Sequence, residues 1–152
     1  MGEALRVGLV GCGGMGNEHL RIIARLSGAR LVGVCDYREA RALRMSEQHG
    51  VPYWLHYERF LDEAKPEAVH VCSPSGLHAQ HGISAAERGI HVLSEKPLDI
   101  DLAKVDRLIA TCDRQGVRLG CIFQRRMSRA AQAVQRAIAE GRWGGCCRAA
   151  CR

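Results

Sequence analysis

The chain has 152 residues, enough for one ordinary domain of roughly 100–200 residues and hardly enough for two. Its 47% hydrophobic and 25% charged residues match a folded globular protein and exclude disordered, collagen-like and low-complexity classes. The net charge of +6 is half accounted for by Arg142, Arg148 and Arg152, and seven aromatics leave no basic stripe with stacking side chains, so no nucleic-acid partner is expected.

Leu5–Val10 reads as a buried strand, and Met15–Leu26 as a helix with Leu20, Ile23 and Ala24 on one face. Leu31–Cys35 is a second strand. A helix over Arg38–His49 stops at Gly50, with Pro52 just beyond. Val51–Trp54 gives a short strand, Glu58–Ala64 a helix and Ala68–Cys72 another strand. His78–Arg88 is a helix closed by Gly89, followed by a strand over His91–Ser94. Asp99–Gln115 carries Leu102, Val105, Leu108, Ile109 and Cys112 at helical spacing. Val117–Phe123 is the sixth strand, and Ser128–Glu140 a final helix.

Strands alternating with helices of this length mean βαβ crossovers and a parallel sheet covered on both faces. The expected fold is α/β, a doubly wound parallel sheet in the order 3-2-1-4-5-6, forming a single nucleotide-binding domain over residues 1–144. No apolar run is long enough to span a bilayer, and the start at Met1 lacks the charged lead and apolar core of a secretory signal. A cytoplasmic location, with no membrane partner, is expected.

Gly11-Cys12-Gly13-Gly14-Met15-Gly16 carries the chemistry that this fold suggests. A lone G-x-G-x-x-G is weak, but this one follows an apolar strand and opens an amphipathic helix. Gly11 permits the tight turn, Gly13 lets backbone approach a pyrophosphate, and Gly16 lets helix and strand pack closely. The helix N-terminus then offers free N–H groups and a positive dipole end to the anion. Asp36 ends the second strand, about twenty residues past the glycines, where a carboxylate accepts bonds from the adenosine ribose hydroxyls. That favours NAD, while Arg38 two residues later leaves NADP open; an ordinary helix cap is the structural alternative for Asp36. Glu95-Lys96-Pro97 follows the fifth strand on the edge where such sheets bind ligands. By position alone it reads either as a proton-handling lysine beside a carboxylate or as a surface ion pair.

Together these residues resemble the N-terminal domain of the Gfo/Idh/MocA oxidoreductase family. The similarity includes Gly11–Gly16 with His19 after it, Cys35-Asp36, Ser73-Pro74-Ser75-x-x-His78, Gly89 through Pro97, and Phe123-Gln124-Arg125-Arg126. The resemblance implies hydride transfer between NAD(P) and a sugar, polyol or related hydroxyl-bearing carbon. It implies that Lys96 binds near the nicotinamide and acts in proton transfer with a histidine from a second, substrate-binding domain. Ser73, His78 and Glu95 match residues lining the nicotinamide–ribose side of the cofactor cleft, and Arg126 matches an arginine near the nicotinamide end. Ser75 stands where the family has asparagine, and no role carries over to it.

The substrate domain has no counterpart in this chain, and the family's oligomer contacts go with it. The intact enzyme is therefore expected to be a dehydrogenase, and this chain alone a non-catalytic dinucleotide-binding module or inactive fragment. No metal site is expected: His81 lies one turn from His78 without acidic or cysteine companions, and C-C-x-x-x-C over Cys146, Cys147 and Cys151 matches no zinc pattern. His70 and His91 read as packed or hydrogen-bonded strand residues, and His49 and His56 as solvated. Residues 145–152 are atypical, without either periodicity; nineteen arginines against three lysines suggest a GC-rich gene, so reading out of frame there is one expectation and a genuine, if odd, C-terminal tail the alternative.

Overall fold

The structure, a computed structural model, describes residues 3–142. The atypical tail and its cysteines lie outside the described residues. Six strands, β1 (Leu5–Val10), β2 (Ala29–Cys35), β3 (Tyr53–Trp54), β4 (Ala68–Val71), β5 (His91–Glu95) and β6 (Leu119–Ile122), form one sheet in the order β3-β2-β1-β4-β5-β6. Every pairing is parallel. The helices are α1 (Gly14–Ile23), α2 (Glu39–His49), α3 (Tyr57–Ala64), α4 (His78–Ala86), α5 (Leu102–Gln115) and α6 (Arg129–Ala139).

Alternation along β1 divides the core. Val7 and Leu9 pack with Leu20 and Ile23 of α1 and Met45 of α2. Val10 packs instead with Phe60 and Leu61 of α3, Val69 and Val71 of β4 and Ala85 of α4. A strand buried on both faces leaves little room for alternating polar residues, and only Arg6 of β1 and His70 of β4, each partly buried, interrupt the apolar runs of these strands. Ala79 and Ala86 of α4 meet Leu108 and Cys112 of α5 in a third cluster.

Several ends differ from the sequence expectation, each for a local reason. After Ile23 the bonds tighten, with Arg25 N–H donating to the Ile22 carbonyl and Leu26 N–H to the Ile23 carbonyl, so α1 closes in a turn before Leu26. Asp99 does not begin α5: Oδ1 accepts the N–H groups of Ile100 and Asp101, and Asp101 is the N-cap, accepting from Ala103 N–H at 2.9 Å. The other oxygen of Asp99 accepts from Ala79 N–H at 3.2 Å, satisfying an opening amide of α4 from a distant loop.

The described residues divide into two compact units, one ending at Ile122 and one beginning at Phe123. The sequence expectation of one domain through residue 144 has no break at this point, where β6 completes the sheet. In the second unit a 3-10 turn over Gln124–Met127 leads into α6, whose N-cap Ser128 accepts from Ala131 N–H at 3.2 Å. Among the described residues no helix is long and apolar enough to cross a membrane.

Candidate functional site

Register aligns the C-terminal ends of the central strands: Val10 lies beside Cys35 of β2 and Val71 of β4, and Val71 beside Ser94 of β5. The chain direction of crossovers reverses between β1 and β4, the topological switch point where open α/β sheets bind ligands. Gly11 turns the chain out of β1 with φ +97°, and its N–H donates to the Cys35 carbonyl at 2.8 Å. A Cβ on Gly16 would collide with the Gly11 carbonyl oxygen, so only glycine lets α1 start this close to β1. No side chain caps the first turn of α1.

Asp36, only 5% exposed, joins this turn to the end of β2. Cys12 N–H donates to Oδ2 and Arg38 N–H to Oδ1, each at 2.8 Å. Asp36 is thus not the N-cap of α2, a position held by Arg38 without a capping side chain. Its carboxylate retains acceptor capacity toward the cleft, since each oxygen has two lone pairs.

A cleft of about 840 Å³ lies over this edge. Of the residues expected from sequence, Gly11, Gly13, Gly14, Met15, Asp36 and Ser73 line it together. The others stand elsewhere, and their bonds say why. Cys12 is fully buried, its N–H taken by Asp36 and its Sγ–H directed to the Cys35 carbonyl at 3.7 Å. Gly16 supports the turn from behind. Arg38 is exposed, with Nε donating to Tyr37 Oη at 2.8 Å and its guanidinium 5.3 Å from the Tyr37 ring centre. Arg41, one turn on along α2, lines the cleft instead; the i, i+3 spacing from Arg38 was the signal for it.

His78 and Glu95, expected in the cleft wall, are correspondingly buried beneath it at 2% and 5% exposure. The ring nitrogens of His78 lie 2.6 Å from the carbonyl oxygens of Pro97 and Ser73, tying the loop after β4 to the turn after β5. Glu95 makes no ion pair with Lys96 among the described residues. Its Oε1 lies 3.0 Å from His19 Nε2, and its Oε2 accepts from Lys96 N–H at 3.2 Å. Lys96 itself is exposed at the same sheet edge as the glycine turn, and its Nζ has no partner among the described residues. Arg126 lies in the 3-10 turn of the second unit.

Sequence reasoning placed His19 only as part of a motif, yet it is the centre of a buried cluster. Its Nδ1 lies 3.1 Å from His70 Nδ1 and 3.4 Å from Cys72 Sγ. A proton on Nε2 serves the Glu95 carboxylate and leaves Nδ1 to accept from these neighbours. Burial, with His19 nearby, pulls His70 down to about 4. Burial, then the charge of Glu95 and the neighbouring Cys12, pushes the Cys72 thiol up to about 12. His70 and His91 are hydrogen-bonded as expected, the latter accepting from Arg118 N–H at 3.1 Å. His49 is not solvated at both nitrogens: its Nε2 is buried without a partner among the described residues.

The glycine turn fits a pyrophosphate. A Cβ on Gly13 or Gly14 would meet nothing within 4 Å, so each would project into the open space before the uncapped helix. With Asp36 at the end of β2, this is the geometry of a dinucleotide-binding α/β domain.

Comparison with known proteins agrees. Residues 5–123 match the family model described as an oxidoreductase family with an NAD-binding Rossmann fold, and the chain belongs to that family. It is 32% identical over 141 residues to myo-inositol 2-dehydrogenase of Thermotoga maritima, covering 92% of this chain and 42% of that protein. It is 30% identical over 139 residues to D-glucoside 3-dehydrogenase of Escherichia coli, covering 90% and 40%. The WlbA dehydrogenase of Bordetella pertussis, solved with NADH and UDP-GlcNAcA, superimposes with a TM-score of 0.90 at 34% identity, over 93% of this chain and 44% of that one. The chain thus spans about two fifths of the length of these relatives.

Proposed function

We propose that this chain is the cofactor-binding part of an NAD-dependent dehydrogenase acting on a hydroxyl-bearing carbon of a sugar or polyol. The observation that carries the reading is the open glycine cradle joined to Asp36 at the switch point of the sheet. The backbone of Gly13 and Gly14 and the start of α1 hold the pyrophosphate, and Met15 flanks it. Asp36 accepts from the adenosine ribose hydroxyls and disfavours a 2′-phosphate, so NAD is preferred over NADP, with Arg38 and Arg41 the cations nearest that choice.

The bound cofactor supplies the hydride acceptor. Lys96, whose Nζ is unpartnered among the described residues at the same edge, would take the proton of the substrate hydroxyl in its neutral amine form as the carbon gives up hydride, ending as the ammonium and leaving a carbonyl product. The family resemblance implies a histidine of a substrate domain as its partner. His78 and Glu95 act from beneath, holding the loops that carry Ser73 and Lys96. Two of the dehydrogenases similar to this chain are named for inositol and glucoside substrates, which supports the sugar or polyol class. Oligomer contacts belong with the substrate domain. Free thiols at Cys12, Cys35, Cys72, Cys112 and Cys121 support a reducing, cytoplasmic setting.

Titrating NADH into the purified chain and following nicotinamide fluorescence tests the reading; saturable binding is expected, and its absence from folded protein overturns it. The 152-residue chain by itself is expected to bind without turnover, because displacing a substrate by about 1 Å can cost 100-fold in rate and the family resemblance implies that a second domain supplies most of the substrate pocket. Turnover of a polyol that survives Lys96→Ala would remove that residue from the chemistry.

A further inference from the structure

His78 is held in a way that one protonation state alone satisfies. Its Nδ1 lies 2.6 Å from the Pro97 carbonyl oxygen and its Nε2 2.6 Å from the Ser73 carbonyl oxygen. A backbone carbonyl can only accept, so each contact is a hydrogen bond only when that ring nitrogen carries a proton. A neutral ring has one such proton and would set the lone pair of its other nitrogen against an oxygen lone pair. Turning the ring over brings carbons to the same places, well inside the roughly 3.3 Å of a C–H···O contact. Both contacts are also shorter than the usual 2.9–3.0 Å or so of a neutral N–H···O bond, as charge-assisted bonds are.

The surroundings of this ring, which is 2% exposed, admit a positive charge. Asp99, equally buried and two residues past Pro97, reaches the same end of α4, its Oδ2 accepting from Ala79 N–H at 3.2 Å. Its carboxylate offsets both the ring charge and the positive dipole end of the helix. Lys96 precedes Pro97 but is exposed, and Glu95 is engaged by His19 and the Lys96 amide. On α4 itself, burial first and His78 second lower His81 to about 4, which leaves it neutral at pH 7. The thiol of Cys72, the phenol of Tyr57 on α3 and the thiol of Cys112 on α5 are all raised, chiefly by burial, and carry no charge there.

Resting on the dinucleotide reading above, we propose that His78 is a positioning residue that acts as a buried imidazolium, its two ring protons clamping the loop that carries Ser73 to the turn that carries Lys96. Ser73 lines the cleft, and Lys96 is the residue next to Pro97. One N–H donor can hold one of these loops. Release of a proton to solvent therefore frees the other, and the wall of the cleft and the proton acceptor lose their fixed separation.

NMR of the 152-residue chain with 15N-labelled histidine, alongside NADH titration followed by nicotinamide fluorescence, tests this from pH 6 to 9. Two ring N–H signals are expected from His78 at pH 6, assigned by their absence from His78→Gln. NADH affinity is expected to hold while both persist and to fall about tenfold as one is lost, the scale of one hydrogen bond to a charged group. His78→Gln, with an amide donor for one loop only, is expected to bind NADH about tenfold more weakly at pH 6 and without that pH dependence. Asp99→Asn, which removes the countercharge, is expected to move the signal loss and the affinity fall together to lower pH. Circular dichroism checks that each variant folds. A single ring proton on His78 at pH 6, His78→Gln binding NADH as the wild type does at pH 6, or an affinity that holds while a ring proton is lost would each overturn the clamp and leave the cofactor reading intact. Folded wild-type protein that binds no NADH would overturn the cofactor reading, and the clamp's role in binding with it.

Discussion

His19 Nε2 and Glu95 Oε1 meet at 3.0 Å, with both side chains more than nine-tenths buried. The contact joins the first helix, which opens at the glycine turn, to the strand whose next residue is Lys96. A carboxylate buried this deeply is costly unless it is hydrogen-bonded, and His19 and the Lys96 amide supply its bonds. The floor of the cleft is therefore held by a polar link across three strands rather than by apolar packing alone.

Removing one partner of that link should cost more than removing both. His19→Ala leaves Glu95 buried and short of a donor, and is expected to lower stability by about 3–5 kcal/mol. Adding Glu95→Gln, which cannot carry the charge, should recover part of the loss. Urea unfolding of the two single variants and the double variant gives the coupling directly, and additive effects would mean the two groups do not act as a pair.

Asp36→Ala should have two separable effects. It strands the buried Cys12 N–H, at about 1–3 kcal/mol of stability, which a urea midpoint reads. It also removes the ribose acceptor, so affinity for NADH should fall more than affinity for NADPH; equal losses would count against the ribose role.

Acidification should destabilise the chain through its buried histidines. Burial lowers His70 and His81 to about 4 in the folded state, against about 6.5 in the unfolded chain. Between these values the unfolded chain binds more protons, so stability is level above about pH 6.5 and falls as pH drops toward 4. His70→Gln should flatten the fall, and a denaturant midpoint followed from pH 7.5 to 4.5 checks it. A wild-type midpoint that does not move would show that neither ring is held neutral by the fold.

Thiol chemistry should be slow in the native chain. Burial above all, with the charge of Asp36 beside both thiols, pushes Cys12 and Cys35 up to about 12, and the attacking species is the thiolate. Iodoacetamide at pH 7.5 is expected to leave Cys12 and Cys35 unmodified until urea unfolds the protein, as read by peptide mass spectrometry. Rapid native labelling would contradict the packing of Cys12 with Val7 and Leu9, or of Cys35 with Val10 and Phe60.

The alternation of apolar runs and amphipathic helices carried the strand order, and G-x-G-x-x-G followed by Asp36 carried the cradle, because both depend on local spacing. Contacts across the fold were not legible. His78 and Glu95 stood in the right motif, yet nothing local to them shows that their polar atoms are spent on Pro97, Ser73 and His19. His81 lay on a helix with no partner in its own sequence neighbourhood, and only the fold brings Ser73 and Tyr57 to it. Arg41 was one helical turn from a residue already singled out, and helix periodicity could have found it.

The pair of hydrogen bonds that Asp36 accepts from the Cys12 and Arg38 amides also constrains how a chain of this kind could change its cofactor. A lineage drifting toward the phosphorylated dinucleotide would gain by losing the carboxylate, but the same step unmoors the turn that holds the phosphates. Paths through serine, threonine or asparagine keep an oxygen for the Cys12 amide while giving up the charge. The order of substitutions is thereby restricted: a replacement acceptor first, with new cations around Arg38 and Arg41 only afterwards.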